Sequence, residues 1–295
     1  MAGISARENR AGWVFIAPAM VLLGMFMVYP IFWSLWMSFQ TGKGLNWKFG
    51  GFANFIRLTK DPVLHHALSN TMIFLMVQVP VMIVLALLFA VALNNRKLRG
   101  RAILRTAIFL PCVTSLVAYS VLFKSMFATD GVVNDTLMAL YIIREPIGWM
   151  LDPFWAKVLI ILAITWRWTG YNMVFYLAAL QNIDPSIYEA ARIDGVPARA
   201  RFFKITVPML KPVILFTTVL STIGTLQLFD EVNTITASAG AGGNPANATL
   251  TLSLYIYNLL FRFVPNYGYA SAVSWLIVVL VCLLSWIQFR VAKEK

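Results

Sequence analysis

Charge is what this 295-residue chain has least of: Asp, Glu, Lys and Arg together make up 12% of it, about half the roughly 25% of an average soluble domain. Cysteine is nearly absent too. Cys112 and Cys282 both lie in apolar runs, which excludes a disulfide framework and a cysteine-based metal site. Only two histidines occur, side by side at His65 and His66 in what reads as a loop, and two residues without further ligands do not make a metal centre. No Gly-x-x-x-x-Gly-Lys-[Ser/Thr] phosphate loop is found, so the chain is not expected to bind or hydrolyse ATP itself. No intramembrane carboxylate cluster or acid/base constellation suggests an enzyme. No internal repeat of the kind built into many secondary transporters is visible. The one low-complexity stretch is Ala237 to Pro245, rich in Gly and Ala.

What is abundant is apolar surface, at 60% of residues. The charge that remains is lopsided, with 24 Lys and Arg against 12 Asp and Glu, a net +12. In a soluble protein that excess would point to nucleic acid. At this apolar fraction the partner is the lipid bilayer, no nucleic acid is expected, and the distribution of the charge becomes the question.

A spanning helix needs about 20 mostly apolar residues. Six stretches qualify, at about 13–39, 67–93, 106–127, 154–180, 210–230 and 267–289. The chain is therefore expected to be an all-α, polytopic membrane protein of six transmembrane helices forming one domain over 1–295. The first stretch follows Arg7 and Arg10 but is longer than the roughly 7–15 residues of a signal-peptide core, so it reads as a retained span. Two shorter apolar runs, Thr136 to Ile143 and Leu250 to Val264, are expected to be surface or interfacial helices, closed by Arg144-Glu145-Pro146 and by Arg262 and Pro265. With both termini on one side, that side carries fifteen Lys and Arg, including Arg96, Lys97, Arg99, Arg101 and Arg105, and Arg290, Lys293 and Lys295. Eight lie on the other, in the loops 40–66, 128–153 and 231–266 and at span edges. The positive-inside rule then places both termini and the 181–209 loop in the cytoplasm.

That loop has its own grammar. Asp184 can cap a helix with Pro185 at its first position, Gly195 fits the left-handed residue that ends it, and Pro197 can open a second helix ending near Pro208. The expectation is helix, tight turn, helix, with Ile187, Tyr188, Phe202 and Phe203 set among Arg192, Arg199, Arg201 and Lys204. Such a surface suits a groove on another protein or anionic lipid headgroups, and physics alone leaves both open.

Glu189-Ala190-Ala191, three residues, Gly195, nine residues, Ile205, one residue, then Val207-Pro208 resembles the EAA loop of ABC importer permeases, E-A-A-x3-G-x9-I-x-L-P. Val207 stands where leucine is usual and keeps the position apolar. Leu110-Pro111 opening the third span, Phe229-Asp230 after the fifth and Tyr267-Gly268-Tyr269-Ala270-Ser271-Ala272 at the sixth extend the resemblance over nearly the whole chain. The sequence is similar to the six-span, maltose-permease-like branch that serves carbohydrate uptake across a bacterial or archaeal plasma membrane. The resemblance implies that the loop forms coupling helices seated in a cleft of an ATPase subunit, with Glu189, Ala190, Ala191, Asp194, Gly195, Ile205 and Pro208 as the coupling set. It implies a second, non-identical permease, an ATPase dimer that binds ATP and Mg, and an extracytoplasmic solute-binding protein docking on outer loops around Thr41 to Asp61 and Asn244 to Tyr257.

Polar groups inside spans are costly and usually face a partner or an aqueous cavity. Aromatic faces with hydroxyls and amides suit sugars, which selects Trp168, Tyr171, Asn172, Ser221, Thr225 and Gln227 as candidates for a di- or oligosaccharide pathway. Competing structural readings stand beside them: Trp166 and Trp168 as packing or interfacial residues, Ser221 and Thr225 as small contacts that let helices approach. Arg167 is expected to form an ion pair with Asp230 or Glu231 rather than to touch solute. A secondary transporter or channel, uncoupled from ATP, is the alternative.

Overall fold

The computed structural model describes residues 6–95, 97–236 and 247–293. Arg96, Lys295, the side chain of Arg7, the loop at 237–245 and the first part of the proposed outer docking segment, 244–246, lie outside the described residues. In chain order, α1 (Ala6–Leu23) passes through a π-turn at Gly24–Val28 into α2 (Tyr29–Ser38). Strands β1 (Gln40–Lys43) and β2 (Asn46–Phe49) follow as an antiparallel hairpin, then α3 (Ala53–Leu58), α4 (Pro62–Asn94), α5 (Arg101–Val113) and α6 (Leu116–Met126). Next come α7 (Val132–Ala139), α8 (Pro153–Gln181), α9 (Pro185–Ile193) and α10 (Ala198–Arg201), which runs through a π-turn at Phe202–Thr206 into α11 (Val207–Leu226). The remainder is α12 (Asp230–Thr236), α13 (Leu252–Tyr257), a π-turn at Asn258–Arg262 and α14 (Tyr267–Lys293).

Among the described residues, five helices are long and apolar enough to cross a membrane: Arg10–Ser38, Pro62–Asn94, Pro153–Gln181, Ala198–Leu226 and Tyr267–Lys293. The expected third span, 106–127, is not one helix. It is α5 and α6 meeting at 101°, so that the pair is a broken span or a re-entrant element. Pro111 sits in the last turn of α5, and Thr114 and Ser115 are extended. Proline removes a helix donor and weakens the turn before it, and Thr114 Oγ1 donates to the freed Pro111 carbonyl (2.7 Å).

Elsewhere the chain carries a helix past proline instead of ending it. Two of the π-turns finish two residues before Pro30 and Pro208. The wider i→i−5 turn, as in Val207 N–H to Phe202 O, accommodates the missing donor at Pro208. This overturns two expected boundaries. The second loop helix does not end near Pro208 but continues into the span, and that span stops at Leu226 rather than 230.

The fold is helical as expected, with one short addition, the β1–β2 hairpin in part of the expected 40–66 loop. Two local expectations are refined. His65 and His66 belong to α4, whose helix begins at Pro62, a residue pre-set for a first helical turn. The 250–264 run is only in part a surface element: Leu250, Leu252, Leu254 and Tyr255 are buried, while Phe261, Phe263 and Val264 are exposed. Asn70 Nδ2 donates to the carbonyls of Asn247 (3.0 Å) and Leu250 (3.1 Å), and Leu252 N–H donates to Thr71 Oγ1 (3.2 Å). These bonds satisfy backbone groups that would otherwise be costly to bury.

The described chain forms two contact units, one comprising residues up to Asp61 with Ile256–Leu276, the other Pro62–Tyr255 with Ile277–Lys295. In the first, Asn54 Nδ2 donates to Ser38 O (2.9 Å) and Gln40 O (2.7 Å), and Tyr269 OH donates to Asp61 Oδ2 (2.7 Å). In the second, α4, α8 and α11 pack around Ala86, Ala90, Leu93, Met173, Tyr176, Leu177, Leu180 and Leu210. The hydrophobic effect does little between helices in lipid, so close packing and buried hydrogen bonds carry this core. Tyr176 OH and Thr217 Oγ1 share a hydrogen bond of 2.6 Å there.

Candidate functional site

Two places in the second unit concentrate chemistry, a projection and a cavity. The projection is α9, its turn and α10. Asp184 caps α9 by accepting from Ser186 N–H (2.9 Å), with Pro185 in the first turn. That bond holds the exposed Asp184 carboxyl below the usual carboxylate range. Gly195 has φ +70°. Its N–H donates to Arg192 O (3.1 Å) and that of Val196 to Ala191 O (2.9 Å), the double bond pattern of a Schellman stop, which a residue with a Cβ would strain. Arg201 Nη1 then donates to Val196 O (2.5 Å), and Tyr188 OH bonds Thr206 Oγ1 (3.1 Å) to hold the two helices together.

The seven residues of the expected coupling set split by exposure. Ala191 is buried and Ile205 half-buried, while Glu189, Ala190, Asp194, Gly195 and Pro208 are exposed. Ile193, 87% exposed, and Phe203 stand out as an apolar knob beside Arg192, Arg199 and Lys204. Beneath it, Ile183, Phe202 and Val207 pack on the α4–α8–α11 core. A displacement of the knob therefore has a packed route into the spans.

The cavity, about 460 Å³, lies between α4, α8 and α11 and is closed in part by α6 and α12. All six sugar-pathway candidates line it: Trp168, Tyr171 and Asn172 from α8, Ser221 and Thr225 from α11, and Gln227 at the α11 C-cap. Trp168 and Tyr171 meet edge to face at 5.8 Å. Trp166 is not in the lining. It stacks on Tyr119 of α6 (5.9 Å, 7°), so the break between α5 and α6 is what brings α6 against this wall.

Arg167, Asp230 and Glu231 line the same space. The two acids are not at the frayed edge of a span, since α12 starts with them and Glu231 is buried. Arg167 Nη1 is 4.0 Å from Glu231 Oε1, with side-chain exposures of 12% and 8%. That separation is an ion pair without a hydrogen bond, and Arg167 Nε and Nη1 have no hydrogen-bond partner among the described residues. The guanidinium also lies 5.0 Å from the Tyr119 ring centroid and 5.6 Å from that of Trp168, within cation–π range. Sequence reasoning missed Gln78 and Met82 of α4, which complete the floor. A glutamine isolated in the apolar stretch Met72 to Leu93 was the available signal.

A helix pair with an exposed apolar tip, packed onto spans that border a partly open cavity lined by both polar and apolar side chains, suits a membrane transport subunit worked by an outside partner. The chain belongs to the family described as binding-protein-dependent transport system inner membrane component, whose model matches residues 49–294. It is 66% identical over 284 residues, 96% of this chain and 94% of the relative, to the lactose transport system permease protein LacF of Rhizobium radiobacter. In fold it matches a bacterial ABC transporter involved in import of the acidic polysaccharide alginate, with TM-score 0.84, 22% identity and 98% and 96% of the two chains covered. A second match, at TM-score 0.83, 22% identity and the same coverage, is that alginate transporter in complex with its pentasaccharide-bound periplasmic protein. This chain is accordingly a multi-pass inner-membrane permease component of an ABC importer and is not its catalytic subunit. Family membership decides against the uncoupled secondary transporter or channel.

Proposed function

We propose that this permease moves a di- or oligosaccharide, of which lactose is the first to test, through the cavity between α4, α8 and α11 by ATP-driven alternating access. The observation that carries the reading is that two aromatic faces and four hydrogen-bonding side chains, drawn from two spans, converge on one cavity of about 460 Å³, within the usual range for small-molecule sites. Trp168 and Tyr171 supply faces for sugar C–H surfaces; Asn172, Ser221, Thr225 and Gln227 supply donors and acceptors. The 66% identical lactose permease supports the sugar class.

The projection is the coupling element. Glu189 and Asp194 present exposed carboxylates, and Ile193 and Phe203 apolar surface, to a cleft on an ATPase subunit, which alone binds ATP and Mg. Gly195 sets the angle between α9 and α10, while Ala191, Ile205 and Pro208 seat the pair on α11. The working assembly comprises this chain, a second, non-identical permease, two ATPase copies and an extracytoplasmic sugar-binding protein. The periplasmic protein bound to the alginate transporter supports that last partner. Both termini and the projection lie in the cytoplasm, on the side richer in Lys and Arg. Gly195→Asp and Glu189→Lys are expected to abolish labelled-lactose uptake in cells while membrane abundance stays unchanged. Wild-type uptake by both would refute the coupling assignment.

A further inference from the structure

We propose that Gln78 and Asn172 form a hydroxyl-reading subsite in the cavity floor, in which Met82 Sδ holds the place of a sugar oxygen. The proposal rests on the reading of this cavity as the sugar site. Gln78 Nε2 lies 3.2 Å from Met82 Sδ, and Asn172 Nδ2 lies 3.5 Å from the same sulfur. Two amides from different helices thus converge on one thioether, although sulfur is a weak acceptor. All three side chains are buried, Gln78 at 1% exposure, and show only an edge to the cavity.

The oxygen side is mismatched in the opposite sense. Thr225 Oγ1 is 3.1 Å from Gln78 Oε1 and 2.9 Å from Ser221 O, and its single proton serves one of them at a time. Gln78 Nε2 and one proton of Asn172 Nδ2 face only a thioether, the other Asn172 proton going to Trp168 O (3.1 Å), and Gln78 Oε1 shares its Thr225 donor with Ser221 O. Native interiors rarely leave buried polar groups in that state without reason. A hydroxyl supplies both halves: its oxygen accepts from Gln78 and Asn172, and its proton goes to Gln78 Oε1. A chloride or a simple ether supplies only the first. Met82 is unbranched and readily repacked, so it can swing aside as the hydroxyl enters. Gln78 is then a specificity-determining residue contributed by α4, outside the two spans that carry the other polar lining.

The test is equilibrium binding of radiolabelled lactose to the purified complete importer. Gln78→Met keeps the side-chain length and leaves Thr225 its bond to Ser221, and is expected to weaken binding about five- to tenfold. Met82→Leu removes the competing sulfur at similar volume and is expected to tighten binding about threefold, a direction that a purely structural role would not produce. Gln78→Met binding within twofold of wild type, while Tyr171→Ala loses it, overturns the subsite and leaves the cavity reading standing. Met82→Leu no tighter than wild type also overturns it. If neither Tyr171→Ala nor Gln78→Met alters binding, or wild type binds no lactose, the cavity reading fails and takes the subsite with it.

Discussion

Gly170→Ala sets helix propensity against packing in a way the structure decides. Gly170 lies in α8 between Trp168 and Tyr171, where α5 crosses. A Cβ built there would stand 2.0 Å from Ile108 O, 2.7 Å from Ile108 C and 2.9 Å from Phe109 Cα. All three obstacles are backbone, so no rotamer change relieves them, and α5 must recede by more than ~1 Å to reach ordinary contact. Propensity alone would favour alanine by about 1 kcal/mol. Overpacking costs about 1–3 kcal/mol, and a backbone clash belongs at the upper end. The expected net loss is about 1–2 kcal/mol, or a fall in Tm of roughly 2–8 °C for a chain of this size. Gly224→Ala is the internal control. It lies in the same cavity wall but meets nothing within 4 Å, so propensity acts unopposed and Tm holds or rises. Thermal unfolding of the purified importer, followed by a label on this subunit, reads both. A Gly170→Ala complex as stable as wild type would refute the claim that α5 and α8 touch through backbone at this point.

Two further outcomes follow from single side chains. Asn134 donates to Ala128 O, Thr129 O and Ile147 O and accepts from Ile147 N–H and Trp149 Nε1. Asn134→Ala should therefore cost about 2–4 kcal/mol and expose the 128–150 segment to limited proteolysis, where wild type resists. Asp184→Ala should fray the start of α9 and lower the ATPase rate stimulated by liganded binding protein. Because the native Asp184 carboxyl is held below its usual range by Ser186, the cap is fully present above the unfolded carboxylate pKa. It is lost as pH falls through the lowered folded value, so the wild-type rate should approach the variant's only under acidic conditions.

The parts of this structure legible beforehand were those written in local chemistry or long composition. Asp184-Pro185 and Gly195 specify a capped helix and a left-handed stop whatever surrounds them, and α9 has those ends. Long apolar runs announced α4, α8 and α14. Selecting aromatic, hydroxyl and amide residues from two spans yielded six side chains that the fold gathers around one cavity. What escaped depended on tertiary context. Hydropathy over 106–127 is blind to a break, because Val113 and Leu116 remain apolar across a 101° bend. Pro208 signals an ending, yet a π-turn lets the helix proceed, and no residue pattern distinguishes those outcomes. The start of the 250–264 run is buried where Asn70 and Thr71, some 180 positions earlier, bond it. Gln78 was one polar letter in an apolar run and drew no notice until Met82 and Asn172 stood beside it.

Continuity through Pro208 has a mechanical consequence. Ala198–Leu226 is a single 29-residue helix, about 40 Å long at 1.5 Å per residue. One end carries the exposed Phe203 of the projection and the other carries Thr225, so it is a lever with handle and load on one rod. The π-turn at Phe202–Thr206, where the helix is already widened, is the natural fulcrum, and a tilt of about 5° there sweeps Thr225 sideways by roughly 2.5–3 Å over the roughly 30 Å between them. A sideways shift of that size stretches the Thr225–Gln78 contact, 3.1 Å here, beyond hydrogen-bonding distance.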